Sequence, residues 1–158
     1  MSTPAVAQIE RRKIEAELLE RLRRVLADDL GQERALDLLR RAVLESSRDA
    51  GAAFAATAPQ GPNLAHFATI LERWREGNAL DIEDVRLSGD SLAFRVTRCA
   101  YAESYKAMGL SPAMADIASC CRDFGFVEGY SQHLRLERPE TIAQGASQCL
   151  FRVRLSQK

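Results

Sequence analysis

The chain has 158 residues, and its 22 lysines and arginines balance 22 aspartates and glutamates, so the formal net charge is zero. That balance argues against non-specific nucleic-acid binding, which rests on a basic surface, and no stretch approaches the roughly 18 apolar residues that span a membrane. With 46% hydrophobic and 28% charged residues, the expectation is one globular domain over residues 1–158, large enough to bury a core without disulfide or metal support. Residues 1–8 lack the charged start and apolar centre of a secretory signal. The expected location is therefore the cytoplasm, where Cys99, Cys120, Cys121 and Cys149 are expected as thiols.

Over residues 8–30, Ile9, Ile14, Leu18, Leu19, Leu22, Val25, Leu26 and Leu30 recur at three- and four-residue steps between Arg and Glu, as in an amphipathic helix. Gly31 marks a junction. Residues 32–47 predict a second helix, with Ala35, Leu36, Leu39 and Val43, that can run on through the alanines of 50–56. Pro59-Gln60-Gly61-Pro62-Asn63 reads as a loop. A third helix is expected over 64–76, with Leu64, Phe67, Ile70, Leu71 and Trp74 on one face and Gly77-Asn78 as the stop.

From residue 80 the period changes. Residues 82–87 and 92–96 alternate apolar and polar, and Ser88-Gly89-Asp90 between them signals a tight turn, so the pair predicts a β-hairpin. Residues 100–108 read as helical, ending at Gly109. Ser111-Pro112 opens another helix, a serine cap followed by proline in the first turn, that runs to about residue 129. Residues 133–138 and 150–155 alternate again as strands. The expected class is α+β: three N-terminal helices (about 8–76), then ββ-αα-ββ (about 80–156) forming a four-stranded antiparallel sheet packed against helices.

The phosphate-binding loop, the dinucleotide glycine fingerprint, the zinc-binding His-Glu-x-x-His helix and the serine nucleophile elbow are all absent. There is no Cys-x-x-Cys spacing, so neither a metal site nor a cofactor is expected. The two histidines, His66 and His133, read as structural or exposed. The densest polar segment is Cys120-Cys121-Arg122-Asp123-Phe124-Gly125-Phe126-Val127-Glu128-Gly129. On a helix Cys121 and Glu128 share a face with Gly125 between them, and Cys120 and Asp123 are neighbours on the adjacent face. Gly125 either leaves open space or admits another backbone. Thiols beside carboxylates offer a nucleophile and a base. Two further clusters are Cys99 with Tyr101 and Glu103 at a strand–helix junction, and Thr141 with Gly145 and Cys149 before the last strand.

These segments carry a resemblance. Cys99-Ala100-Tyr101-Ala102-Glu103-Ser104-Tyr105-Lys106-Ala107-Met108-Gly109, Cys120-Cys121-Arg122-Asp123-Phe124 with Glu128-Gly129-Tyr130, and Gly145 before Cys149-x-Phe151 together resemble the L-2-amino-thiazoline-4-carboxylic acid hydrolase family over about residues 80–155. The resemblance implies hydrolytic opening of a five-membered, cyclic amidine-like or thiazoline-type ring to a carbamoyl amino acid. It implies Cys120 or Cys121 as nucleophile or pocket wall, Asp123 as base and Glu128 as a second acid/base or amine anchor. Cys99, Glu103, Arg122, Thr141 and Cys149 would bind substrate. Two places depart from the family pattern and bear on the substrate: Ser147-Gln148 before the last cysteine, and Ser131-Gln132 after Gly129-Tyr130. The layout is also similar, more weakly, to vinyl-reductase-like and TRAPP-type domains, which implies the alternative of a non-catalytic ligand-binding or sensor module. The expected partner is a small molecule, with no nucleic acid or membrane, and the amphipathic N-terminal helix reads equally as a homodimer surface or as a monomer's packed face.

Overall fold

The computed structural model of the chain describes residues 6–156; the reading of residues 1–5 lies outside them. Two long helices, α1 (Gln8–Leu30) and α2 (Gln32–Ala55), meet at Gly31, whose φ of 85° no residue with a Cβ adopts easily. The third expected helix is two short ones, α3 (Leu64–Ala68) and α4 (Ile70–Trp74). The break falls at Thr69, whose hydroxyl donates to the His66 carbonyl at 2.7 Å and so competes with the helix ladder. The apolar face survives the break, because Leu64, Phe67, Ile70, Leu71 and Trp74 are all buried.

The hairpin forms as β1 (Leu80–Leu87) and β2 (Ser91–Cys99). Then come α5 (Ala100–Ala107) and α6 (Pro112–Ala115), the latter capped by the Ser111 hydroxyl, which accepts from the Met114 amide at 3.2 Å. One π-helical turn, Asp116–Cys120, joins α6 to α7 (Cys121–Tyr130). Strand β3 (Leu134–Glu137), a 3-10 turn (Ile142–Gln144) and strand β4 (Cys149–Leu155) complete the order. The sheet is antiparallel throughout, in the order β1-β2-β4-β3, as expected of an α+β chain.

Alternation decides which face is covered. Leu92, Phe94 and Val96 of β2 and Cys149, Phe151 and Val153 of β4 turn inward, while Ala93, Arg95, Leu150 and Arg152 face out. Phe94 and Phe151, opposite each other across the central strands, stack at 4.6 Å. Against this face lie α3, α4 and α7, through Phe67, Trp74, Phe126, Val127 and Tyr130. Behind them α7 lies hard on α2: a methyl group at Gly51 would strike the Phe126 carbonyl, one at Gly129 the Arg48 carbonyl, and one at Gly125 the Leu44 carbonyl and Ser47. Of the two readings of Gly125, close backbone approach is the one that holds.

Candidate functional site

The α2-facing side of α7 carries Cys121, Gly125 and Glu128, so the helical spacing of these residues holds, but the face is a packing face. Cys121 is buried with Leu39, Val43, Met114 and Ile117, and its thiol donates to the Ile117 carbonyl at 3.5 Å. Glu128 pairs with Arg48 of α2 at 2.9 Å at the surface. The adjacent face of α7 and the π-helical turn hold Asp123 and Cys120, which look the other way, toward the open ends of β2 and β4.

There lies a partly open cavity of about 60 Å³. The end of β2 supplies Cys99, and the start of β4 supplies Cys149. Cys120, Asp123, Thr141 and Arg138 line it too, with Trp74, Tyr101 and Phe151 as apolar walls. Three thiols and one carboxylate from three separate segments thus share a chamber. Asp123 is its only carboxylate among the described residues. Two of the thiols are fixed by amides: Cys99 accepts from Ala102 N at 3.4 Å and Cys149 from Ile142 N at 3.2 Å.

Arg138 is the residue that sequence reading missed. It follows β3, where a charge reads as solvated, yet its side chain is only 4% exposed. Its guanidinium lies 4.9 Å from the Phe124 ring centre and 5.4 Å from that of Phe151. It donates to the Asp123 carboxylate and, at 2.9 Å, to the Cys120 carbonyl. Its Nε and the Thr141 hydroxyl, both buried, have no hydrogen-bond partner among the described residues.

Electrostatics separates the groups. Burial pushes the Asp123 carboxyl up to about 6 from 3.8, against the pull of Arg138 and Arg12. The carboxyl lies deep in the fold but is 23% exposed, toward the cavities. Burial pushes the Cys99 thiol up to about 11, and raises Cys120 further, with Asp123 adding to the effect. Cys149 is raised by the same cause. The chamber therefore holds neutral thiols around a carboxyl that titrates near neutrality.

Gln8, Trp74, Ser119 and Asp123 also border a cleft of about 740 Å³ between α1, α2, α4 and α7. In it the Glu15 carboxylate accepts from Arg12 at 2.7 Å and from Arg122 at 2.9 Å, a three-residue cluster with one positive charge over, while the cleft lining as a whole sets Arg11, Arg12, Arg73 and Arg122 against Glu15, Glu72, Glu76 and Asp123. Asp123 stands at the junction of chamber and cleft. Glu103 lies outside both, paired with Arg98 at 3.0 Å. Neither histidine lines them: His66 stacks on Phe54 and shares a hydrogen bond with the Tyr130 hydroxyl, and His133 is exposed. A groove of about 360 Å³ on the outer face of the sheet, over Ala93, Arg95 and Arg152, holds no thiol, and its acids Asp84 and Glu137 are ion-paired at the surface. Among the described residues no helix is long and apolar enough to cross a membrane, and there is no cluster suited to a metal ion.

Among solved structures the chain is similar to the phenol-responsive sensory domain of the transcription activator PoxR, crystallised with phenol (TM-score 0.53, 16% identity, 91% of this chain and 74% of that one). It is also similar to a trafficking protein particle complex subunit 3 from Naegleria fowleri, covalently bound to palmitic acid (TM-score 0.55, 10% identity, 93% and 96%). At these identities the likeness is one of fold. A comparison with curated proteins finds no match. The family model for L-2-amino-thiazoline-4-carboxylic acid hydrolase matches residues 11–153, which take in every residue of the chamber but Gln8, and the chain belongs to the L-2-amino-thiazoline-4-carboxylic acid hydrolase family.

Proposed function

We propose that the chamber and its junction with the cleft form the active site of a hydrolase that opens a thiazoline-type, cyclic amidine-like ring to a carbamoyl amino acid. The observation that carries this reading is Asp123: a lone carboxyl among neutral thiols, at the mouth of a small chamber, titrating near 6. A base poised near the working pH combines the right protonation state with useful basicity. Asp123 takes a proton from water, and the water oxygen adds to the ring carbon between nitrogen and sulfur. Asp123 hands that proton to the ring nitrogen as its double bond to the carbon opens; the carbon–sulfur bond then breaks as the added hydroxyl becomes the carbonyl of the carbamoyl group, its proton passing through Asp123 to the departing sulfur. Direct attack by a cysteine needs a thiolate, and the raised thiols disfavour it. On this reading Cys99, Cys120 and Cys149 are the soft, compact wall that fits a ring sulfur.

Arg138 holds the Asp123 carboxylate in place, and its unpaired Nε with the Thr141 hydroxyl offers two polar atoms that a bound ligand can satisfy. Arg12 and Arg122, with one charge in excess over Glu15, suit the substrate carboxylate. Cys121, Glu103 and Glu128, with partners elsewhere, support the frame.

A sensor reading has its own support: the chamber is small and walled in part by Trp74, Tyr101 and Phe151, and the fold resembles that of a phenol-responsive domain. The deciding experiment assays thiazolines, cyclic amidines, hydantoins and lactams with the wild-type chain and with Asp123→Asn. Turnover of one ring class that Asp123→Asn abolishes supports the hydrolase. Tight binding without turnover across the panel refutes it in favour of the sensor.

A further inference from the structure

The outer face of α1 is apolar and uncovered. Ile14, Leu18, Leu22 and Val25 are 66%, 59%, 42% and 61% exposed. At 100° per residue they fall within an arc of about 80°, a continuous stripe over three turns. Stripes of this size on a lone chain mark an interaction surface. The geometry points to a second copy of this chain as the occupant, with the two α1 helices antiparallel across a two-fold axis near residue 20.

The charges single out that partner and that register. An isologous contact requires the surface to complement itself. Leu18 and Leu22 flank residue 20, and Ile14 and Val25 lie almost evenly about it. Arg11 and Asp29 lie 18 residues apart, five turns, at the same angle within the arc of the stripe and beyond its two ends along the helix, with residue 20 midway between them. Both are exposed, and neither joins an ion pair among the described residues. About 27 Å of helix separates them, so they cannot meet within one chain. In the antiparallel pair each Arg11 faces the other chain's Asp29, giving one ion pair at each end of an apolar seam. A parallel pair would set Arg11 against Arg11. The interface would be narrow, so association is concentration-dependent.

Sedimentation equilibrium of the full chain over about two decades of concentration tests this. The wild-type mass is expected to rise from one chain to two. Leu18→Glu, at a solvent-exposed position, is expected to stay at one chain with an unchanged circular dichroism spectrum. R11D is expected to weaken association at least about tenfold, and R11D/D29R to restore it. Arg11 also borders the cleft, so mass and not turnover is the readout. A single-chain mass at every concentration overturns the proposal, as does a dimer that Leu18→Glu leaves intact. A double variant no tighter than R11D overturns the antiparallel register.

Discussion

Asp123→Asn is expected to make the protein more stable while removing the proposed base. An acid whose folded value is raised binds its proton more tightly folded than unfolded. Stability is then greatest below the unfolded value of 3.8 and declines as pH rises toward about 6. At 1.36 kcal/mol per pH unit the gap amounts to about 3 kcal/mol lost by pH 7. Asparagine mimics the protonated form and escapes that loss. For a chain of this length the melting temperature at pH 7 rises by about 6–12 °C, and the difference from wild type shrinks toward zero near pH 4. Melting curves of both proteins from pH 4 to 7.5 measure it. Two opposed effects are being weighed: burial of the carboxylate, and its pair with Arg138. If Asp123→Asn melts below wild type at pH 7, the pair outweighs burial and the reasoning fails. Wild-type turnover, by the same titration, is expected to rise with pH through an inflection near 6.

Cys120→Ala, Cys99→Ala and Cys149→Ala are each expected to keep turnover within about tenfold of wild type, and a loss of a thousandfold in any of them would make that thiol a nucleophile. Alkylation of the folded chain at pH 7 is expected to be slow, since a thiol raised to about 11 is ionised only about once in 10⁴ molecules. Gly129→Ala and Gly51→Ala, which drive a methyl into the facing backbone, are expected to cost about 3 kcal/mol or more, read as a fall in melting temperature. Arg12→Gln and Arg122→Gln are expected to raise KM roughly tenfold for a carboxylated substrate, and to leave an analogue lacking the carboxylate unaffected.

The architecture was legible where one physical rule governed. The alternation of residues 92–96 and 150–155 gave buried Leu92, Phe94, Phe151 and Val153, because a strand with one covered face has no other option. The serine cap at Ser111 gave the start of α6. In the site, the neighbourhood of Cys120 and Asp123 followed from helical spacing. The same spacing grouped Cys121 with Glu128, but a period cannot tell whether a face meets a cavity or another helix. Gly125 and Gly129 hold the answer, and their contacts are with α2, far away in sequence. Arg138 was invisible because burial between Phe124 and Phe151 depends on long-range contacts. Arg12 and Glu15 have the spacing of a helix's wet side, and only the long-range placement of α1 along the cleft makes them part of the candidate site.

The order β1-β2-β4-β3 brings the last strand into the middle of the sheet, with Val96 opposite Cys149. Pairing of this kind closes a long loop and forms slowly. Until β4 docks, Cys149 is absent from the chamber and the burial that raises the pKa of Cys99 and Cys120 is incomplete. A chain whose last strand has not docked thus presents Cys99, Cys120 and Cys149 as more ordinary, oxidisable thiols, whereas in the finished molecule burial keeps all three protonated. Vulnerability to oxidants is in this sense a clock on folding: it ends when the final strand seats, and it reopens first if that strand is the one to fray.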